Sequence, residues 1–440
     1  MSCLWLAGCG GSGYGGQVLI APPVTTAFLR VVNTIPNSPT LLAGVDSTNL
    51  TRVSFAQATG LQQVFTGAYG VNVNYLSVDG TTTVPVISPL PLTLRVDEQA
   101  TVFVLGTLGA ARTKLIEHTV PSIAAGSAQV EVVHTAAAAG TLDVYLTDAA
   151  ADLATATKLT TVAFEQASDL ATVASGANYR LRVTAAGSSV VLYDSGAFSI
   201  ADTSRSMFVV VDYFGPGGSG FRVISLNNQN ANTFAQEALP GALRVANMVA
   251  DVPLVDLYIG PVAGVPAFHD IAFGSVAPVQ QFAKGTLNYT LTIASTPTVL
   301  AAGSVALNPG DTRTLVATRS GASVAARATV DARRPISGRA QLQIVNSAPS
   351  VGSGVNSYLV KAGATISTTT AAAVDQPVLA FAAAVAAGGA YVVVFSLPKD
   401  TTTPIAGPDP LAVVDGGIYT IYAAEASGGG APYQIVVDDN

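Results

Sequence analysis

Hydrophobic and polar residues alternate in short runs along most of this chain, with Gly, Pro, Asp and Asn between the runs. A period of two marks strands with one face turned inward, and the turn residues mark where they end. Four runs share one pattern: Leu29-Arg30-Val31-Val32-Asn33, Val130-Glu131-Val132-Val133-His134, Leu243-Arg244-Val245-Ala246-Asn247 and Leu342-Gln343-Ile344-Val345-Asn346. Each alternates apolar with polar or reaches an apolar pair, then ends on Asn or His, residues suited to a turn. Their starts lie about 100 to 113 residues apart, too long for a solenoid repeat and right for a sandwich domain.

Further markers follow in the same order in each copy. A second strand reads Leu142-Asp143-Val144-Tyr145, Val255-Asp256-Leu257-Tyr258 and Val355-Asn356-Ser357-Tyr358, and is degenerate over 41–46 in the first copy. An apolar–x–Phe step comes next, ending at Phe55, Phe164 and Phe273. A Gly-containing turn then leads to strands opening on Tyr69, Tyr179, Tyr289 and Tyr391, whose hydroxyls are expected to reach backbone partners. Acidic turns at Asp97-Glu98, Asp202, Asp311 and Asp415 open the last long strand of each copy. Strands this regularly punctuated predict an all-β chain of antiparallel β-sandwiches. The uncharged stretch 377–397 is long enough to span a bilayer, but Gly388-Gly389 divides it. Two buried strands joined by a glycine turn account for it better.

The markers resemble a bacterial family numbered 4397 among domains of unknown function. Arg30-Val31-Val32-Asn33-Thr34-Ile35-Pro36, Asp256-Leu257-Tyr258 and Gly417-Ile418-Tyr419-Thr420 carry the resemblance, which extends from about Ala27 onward. The second copy lacks the proline after His134, and the fourth has Asn356 for the aspartate. The resemblance implies a secreted or surface-anchored tandem array of four immunoglobulin-like antiparallel β-sandwich domains without assigned chemistry. The expected layout is a leader and tether over 1–26, then sandwich repeats over 27–120, 121–230, 241–332 and 338–440. The joints between them are short, so neighbouring domains are expected to sit close together in series.

Composition narrows the function classes. With 20 Lys and Arg against 27 Asp and Glu, the net charge is −7, so no basic face for nucleic acid is expected. Both cysteines, Cys3 and Cys9, precede residue 10, which leaves the body without disulfides or Cys-based metal sites. His118, His134 and His269 share no metal-ligand spacing, and no nucleophile elbow or Walker lysine motif is present. His134 fills a slot held elsewhere by Asn33, Asn247 and Asn346, which points to a turn role; His269-Asp270 is expected in a loop. Gly217-Gly218-Ser219-Gly220 reads as a hairpin tip. The acidic residues before the last strands read as turn formers, with a calcium site at domain junctions as the competing reading. Asp438-Asp439 reads as a solvated terminus. No enzyme activity and no cofactor are expected.

Leu6-Ala7-Gly8-Cys9 resembles a bacterial lipobox, in which the cysteine is lipidated and becomes the mature N-terminus. Gly10-Gly11-Ser12-Gly13-Tyr14-Gly15-Gly16 follows as a flexible tether. Only eight residues, none Lys or Arg, precede Cys9, so this reading requires a basic, apolar leader encoded upstream of Met1. The resemblance implies export and lipid anchoring at Cys9 in the bacterial envelope, with Gly10 matching the outer-membrane pattern. The surface, rich in Thr, Ser, Ala and Gly, suits packing against carbohydrate, matrix or like domains. The expected function is a non-catalytic structural, adhesive or scaffolding surface lipoprotein. The alternative is a module that binds a glycan or an envelope protein.

Overall fold

The structure, a computed structural model, describes residues 25–439 except 47, 121, 228–230, 234–235 and 237. Cys9 and the tether therefore lie outside the described residues. Among the described residues the chain is all-β, its only helices being single 3-10 turns. Eight sheets form, two to each of four successive units.

The third unit shows the plan. Its opening strand, Gly241–Met248, lies between Thr312–Ser320 and the short strands Ser275–Val276 and Gln280–Phe282, and Ser323–Val330 closes the far edge. The second sheet runs in the order Phe268–Ala272, Leu254–Ile259, Gly285–Ile293, Val299–Leu307. Leu243, Val245, Val255, Leu257, Leu291 and Leu315 fill the space between the sheets. The other units repeat this with opening strands Thr26–Asn33, Ser127–His134 and Ala340–Ser347.

Two features differ from the sequence expectation. The sheets are not purely antiparallel, because every opening strand runs parallel to the long strand that follows the acidic turn. Parallel neighbours need a long crossover, and here the whole second sheet supplies it. That long strand is also not the last of its unit. A further strand hairpins back from it: Ala110–Thr119, Phe221–Leu226, Ser323–Val330 and Gln434–Asp439.

The stretch 377–397 forms two strands, Phe381–Ala386 and Gly389–Ser396, and no described helix is long and apolar enough to cross a membrane. The strands sit in opposite sheets of the fourth unit, and the first is a half-exposed edge strand rather than a buried one.

The opening strands are buried on both faces. Val31 is 1% and its neighbour Val32 0% exposed, although successive strand residues point to opposite sides. Leu29 and Val31 enter the first unit's core, while Val32 meets Phe103, Leu105 and Ile116 of the same unit and Val133, Met207, Val209 and Ile224 of the second. Likewise Ala246, Met248 and Val316 of the third unit pack on Val345, Tyr422 and Ala424 of the fourth. The units are therefore not strung in line. They stack face to face as two pairs, first with second and third with fourth, because each opening sheet has an apolar outer side that water would penalise.

Candidate functional site

The Asn/His slot at the end of each opening strand ties two segments together. Asn33, Asn247 and Asn346 accept on Oδ1 the backbone N–H two residues ahead, at 3.0–3.1 Å, and donate from Nδ2 to a carbonyl of a neighbouring segment. His134 reproduces both bonds. Its Nδ1 accepts the Ala136 N–H at 3.3 Å and its Nε2 donates to Gly140 O at 2.7 Å, an acceptor that assigns the tautomer. Burial, only partly offset by the Gly140 bond, holds this imidazole below its ordinary pKa. The backbone carbonyl of each slot residue also accepts, at 2.8 Å, an N–H from a left-handed residue after the apolar–x–Phe step or its fourth-unit counterpart: Ala56, Glu165, Gly274 and Leu379. The slot is a turn latch, as its sequence context indicates.

Asp143, Asp256 and Asn356 form a second latch, in the second sheet. Asp143 accepts from Lys158, Thr161 and the Gly187 N–H; burial raises it, but these bonds outweigh burial and hold it below the usual carboxylate range. Asp256 accepts the N–H groups of Asp270 and Ser295, and Asn356 accepts that of Asp375 while donating to Pro398 O. Each holds an edge strand, bulged in the third and fourth units, against a hairpin turn. Tyr69, Tyr179 and Tyr391 donate to the carbonyls of Phe65, Ala174 and Ala387, just upstream, and buried Tyr289 packs over Gly303. A Cβ at Gly303 would lie 2.7 Å from the Tyr289 hydroxyl, so a side chain there would displace the ring.

The acidic turns stay apart. Asp202 accepts from Ser175 and from the Gly126 and Thr203 N–H groups, bonds that hold it low, and Asp311 accepts from Asn308 and Arg313. Asp97 has a left-handed φ of 56°, and Asp415 is exposed in its turn. Among the described residues, no three His, Cys, Asp or Glu side chains converge. Gly217, Gly218 and Gly220 lie in the connection between Arg205–Asp212 and Phe221–Leu226, a hairpin tip as read. Two readings need correction. His269, though exposed, belongs to the edge strand Phe268–Ala272, bulged at Asp270, whose backbone N–H donates to Asp256. Asp438 is no solvated tail: it lies in the strand Gln434–Asp439, with its carboxylate on Arg244.

That ion pair belongs to the faces between units, where the polar residues missed by the strand pattern collect. Arg244 donates from Nε to Thr314 and Asp331, and from Nη1 to Asp438 at 2.6 Å. Arg30, at the equivalent place, donates from Nε to Thr101 and across the face to Asn227 O and the Met207 thioether. In the even units the same position holds Glu131 and Gln343, which reach back to His118 at 2.9 Å and Thr329 at 2.8 Å. A second device recurs as well: Arg112 lies 5.6 Å from the ring of Phe164, and Arg327 lies 5.4 Å from that of Phe381. The alternation Arg30, Glu131, Arg244, Gln343 down the four copies is the signal for this pairing.

The two pairs also touch. Arg334, in the joint between third and fourth units, donates to the carbonyls of Pro36 and Ser38, and Arg339 donates to Leu76 O. Clefts open along this contact. One of about 810 Å³ lies between first and fourth units, bordered by Tyr75, Asp79, Arg339, Lys361 and Tyr391. Another of about 320 Å³ lies where the first three units meet that joint.

A family described as "Domain of unknown function (DUF4397)" matches residues 27–145 and 241–353. Both matches begin on an odd unit and run into the opening part of its even partner, so they follow the face-packed pairs. No curated protein matches the chain. Among solved structures, the Bacillus anthracis TIE protein aligns over 92% of this chain and 69% of its own, at 9% identity and a TM-score of 0.16, too low to carry an argument.

Proposed function

Since the chain belongs to the DUF4397 family, whose description assigns no chemistry, we propose from its own geometry that it is a non-catalytic structural module of the bacterial envelope. Its body is a compact scaffold of two sandwich pairs, carried on a lipid anchor at Cys9. The observation that supports the scaffold is the repeated use of apolar outer faces, closed by Arg30 and Arg244, to pack units together. Among the described residues, His134, Asp143 and Asp256 are taken up in turn latches and Glu131 in an inter-unit bond. Support for the anchor is confined to the sequence, in Leu6-Ala7-Gly8-Cys9 and the glycines after it. Two acyl chains at ~0.8 kcal/mol per buried methylene would hold such a body stably on a bilayer.

Fractionation of cells expressing the full chain and its Cys9→Ala variant tests the anchor. Wild type is expected with membranes and the variant in the soluble fraction; an unchanged distribution rejects lipidation. A second reading, binding of a glycan or an envelope partner, is favoured by the large cleft between first and fourth units, with Tyr75 and Tyr391 beside charged Asp79, Arg339 and Lys361. Glycan arrays probed with the whole chain test it, and silence across neutral and acidic sugars leaves the scaffold reading alone.

A further inference from the structure

The smaller cleft, about 320 Å³, draws its walls from three units and a joint: Phe55 of the first, Asp212, Phe214 and Arg222 of the second, Asp311 of the third, and Arg334. Its aromatic side is built by Phe55 and Phe214, edge to face at 6.1 Å, with the Arg334 guanidinium 5.1 Å from the Phe55 ring. Arg334 is held in place by two backbone carbonyls, so its position is set before any ligand arrives.

Arg222 is the unusual member. It stands on the strand Phe221–Leu226 between the core residues Phe221 and Val223, so its side chain leaves the sandwich on the cleft side. Its Nε is buried without a hydrogen-bond partner. Among the described residues, neither Arg222 nor Arg334 has a carboxylate partner, and the charge of Arg222 bears directly on Arg334. Burial lowers the pKa of both, Arg334 to about 10, without discharging either at neutral pH. The acids nearby do not answer them. Asp331 is taken by Arg244 and Thr314, and Asp311 by Asn308 and Arg313. Asp212 remains; burial raises it to about 6, so it is largely ionised at neutral pH, but among the described residues it forms no ion pair with either arginine.

Two like charges held side by side, one with an unmade bond, cost stability unless something answers them. We propose that this cleft is a binding site for a small oxyanion, a carboxylate or phosphate group gripped between Arg222 and Arg334. Guanidinium forks match both anions in a bidentate way, and the Phe55–Phe214 wall gives an apolar seat to the body that carries the charge. The volume admits a single sugar acid or a phosphate, and not a chain of sugars. This inference is independent of the anchor at Cys9 and of the cleft between first and fourth units.

The test is titration calorimetry of the full chain with sodium glucuronate, inorganic phosphate and neutral glucose, each to about 10 mM, at low salt. Saturable heat with glucuronate, phosphate or both, and none with glucose, is expected; glucuronate alone identifies a sugar acid, phosphate alone a phosphate. Arg222→Gln and Arg334→Gln are each expected to weaken binding about tenfold or more, with Arg222→Lys intermediate because charge survives without the fork. Because Arg222 lacks an Nε partner and its charge is unanswered, Arg222→Gln is expected to melt at or above the parent's temperature. Absence of saturable heat from both anions overturns the proposal. So does binding that Arg222→Gln leaves unchanged, or a marked loss of thermal stability in that variant, which would make the guanidinium a structural part.

Discussion

Arg244 and Asp438 lie 194 residues apart in sequence and 2.6 Å apart across the face between third and fourth units. The arginine is only 6% exposed in its side chain and also serves Asp331, itself 1% exposed. One guanidinium thus closes its own unit's sheet edge and fastens the next unit to it.

Removing that cation strands two carboxylates. Breaking a buried pair by deleting one partner costs about 3–5 kcal/mol. Arg244→Ala is therefore expected to lower stability by that order in denaturant unfolding, and Asp438→Ala by less, since Asp438 is the more exposed partner. Equal, negligible losses would show that the pair contributes nothing to the face.

Phe103 is fully buried on the outer side of the first unit, against the second. Phe103→Ala is expected to cost about 3–5 kcal/mol. Since the lost contacts join two units, calorimetry should also show the first pair's melting broaden or split. A single unshifted transition would mean the face carries no coupling.

His134 must stay neutral to accept the Ala136 N–H. Its folded pKa is lowered, so below pH about 6.5 the unfolded chain binds a proton that the folded chain refuses. Stability is therefore expected to fall as pH drops through that value. His134→Asn, which restores the residue used in the other three slots, should remove this dependence. His134→Ala should cost about 1–3 kcal/mol by leaving two backbone groups unbonded. Melts across pH 5–8 compare the three.

Asp212 carries the opposite sign. Burial, resisted by its own backbone N–H, raises it to about 6. Between the ordinary aspartate value of about 3.9 and that pH, the folded state binds more protons than the unfolded one, so stability declines as pH rises. Asp212→Asn is expected to flatten that slope and to be more stable than wild type at neutral pH. An unaltered pH profile would show that Asp212 is solvated.

Much of this molecule is readable from side-chain order alone. The period-two runs, the Asn or His ending each opening strand, the Tyr after each glycine turn and the aspartate turns recur at matching places in the copies, so local pattern reveals them. It does so even where their bonds reach further, as from Asn33 to Val53 or Asp202 to Gly126. The Asp143, Asp256 and Asn356 latches were visible as recurring positions, although not as what they hold, because Gly187, Ser295 and Pro398 come from turns some 40 residues on.

Sequence by itself determined the strands, their fourfold repetition and the turn chemistry between them, since these follow from steric and hydrogen-bonding preferences of neighbouring residues. Tertiary structure alone decided that opening strands pair in parallel, that units stack face to face, and that Arg222 and Arg334 line one cleft. Those outcomes depend on which apolar face finds which, and burial is indifferent to distance along the chain. A doublet such as Val31-Val32 says that both sides of a strand are covered; only the folded chain says by what.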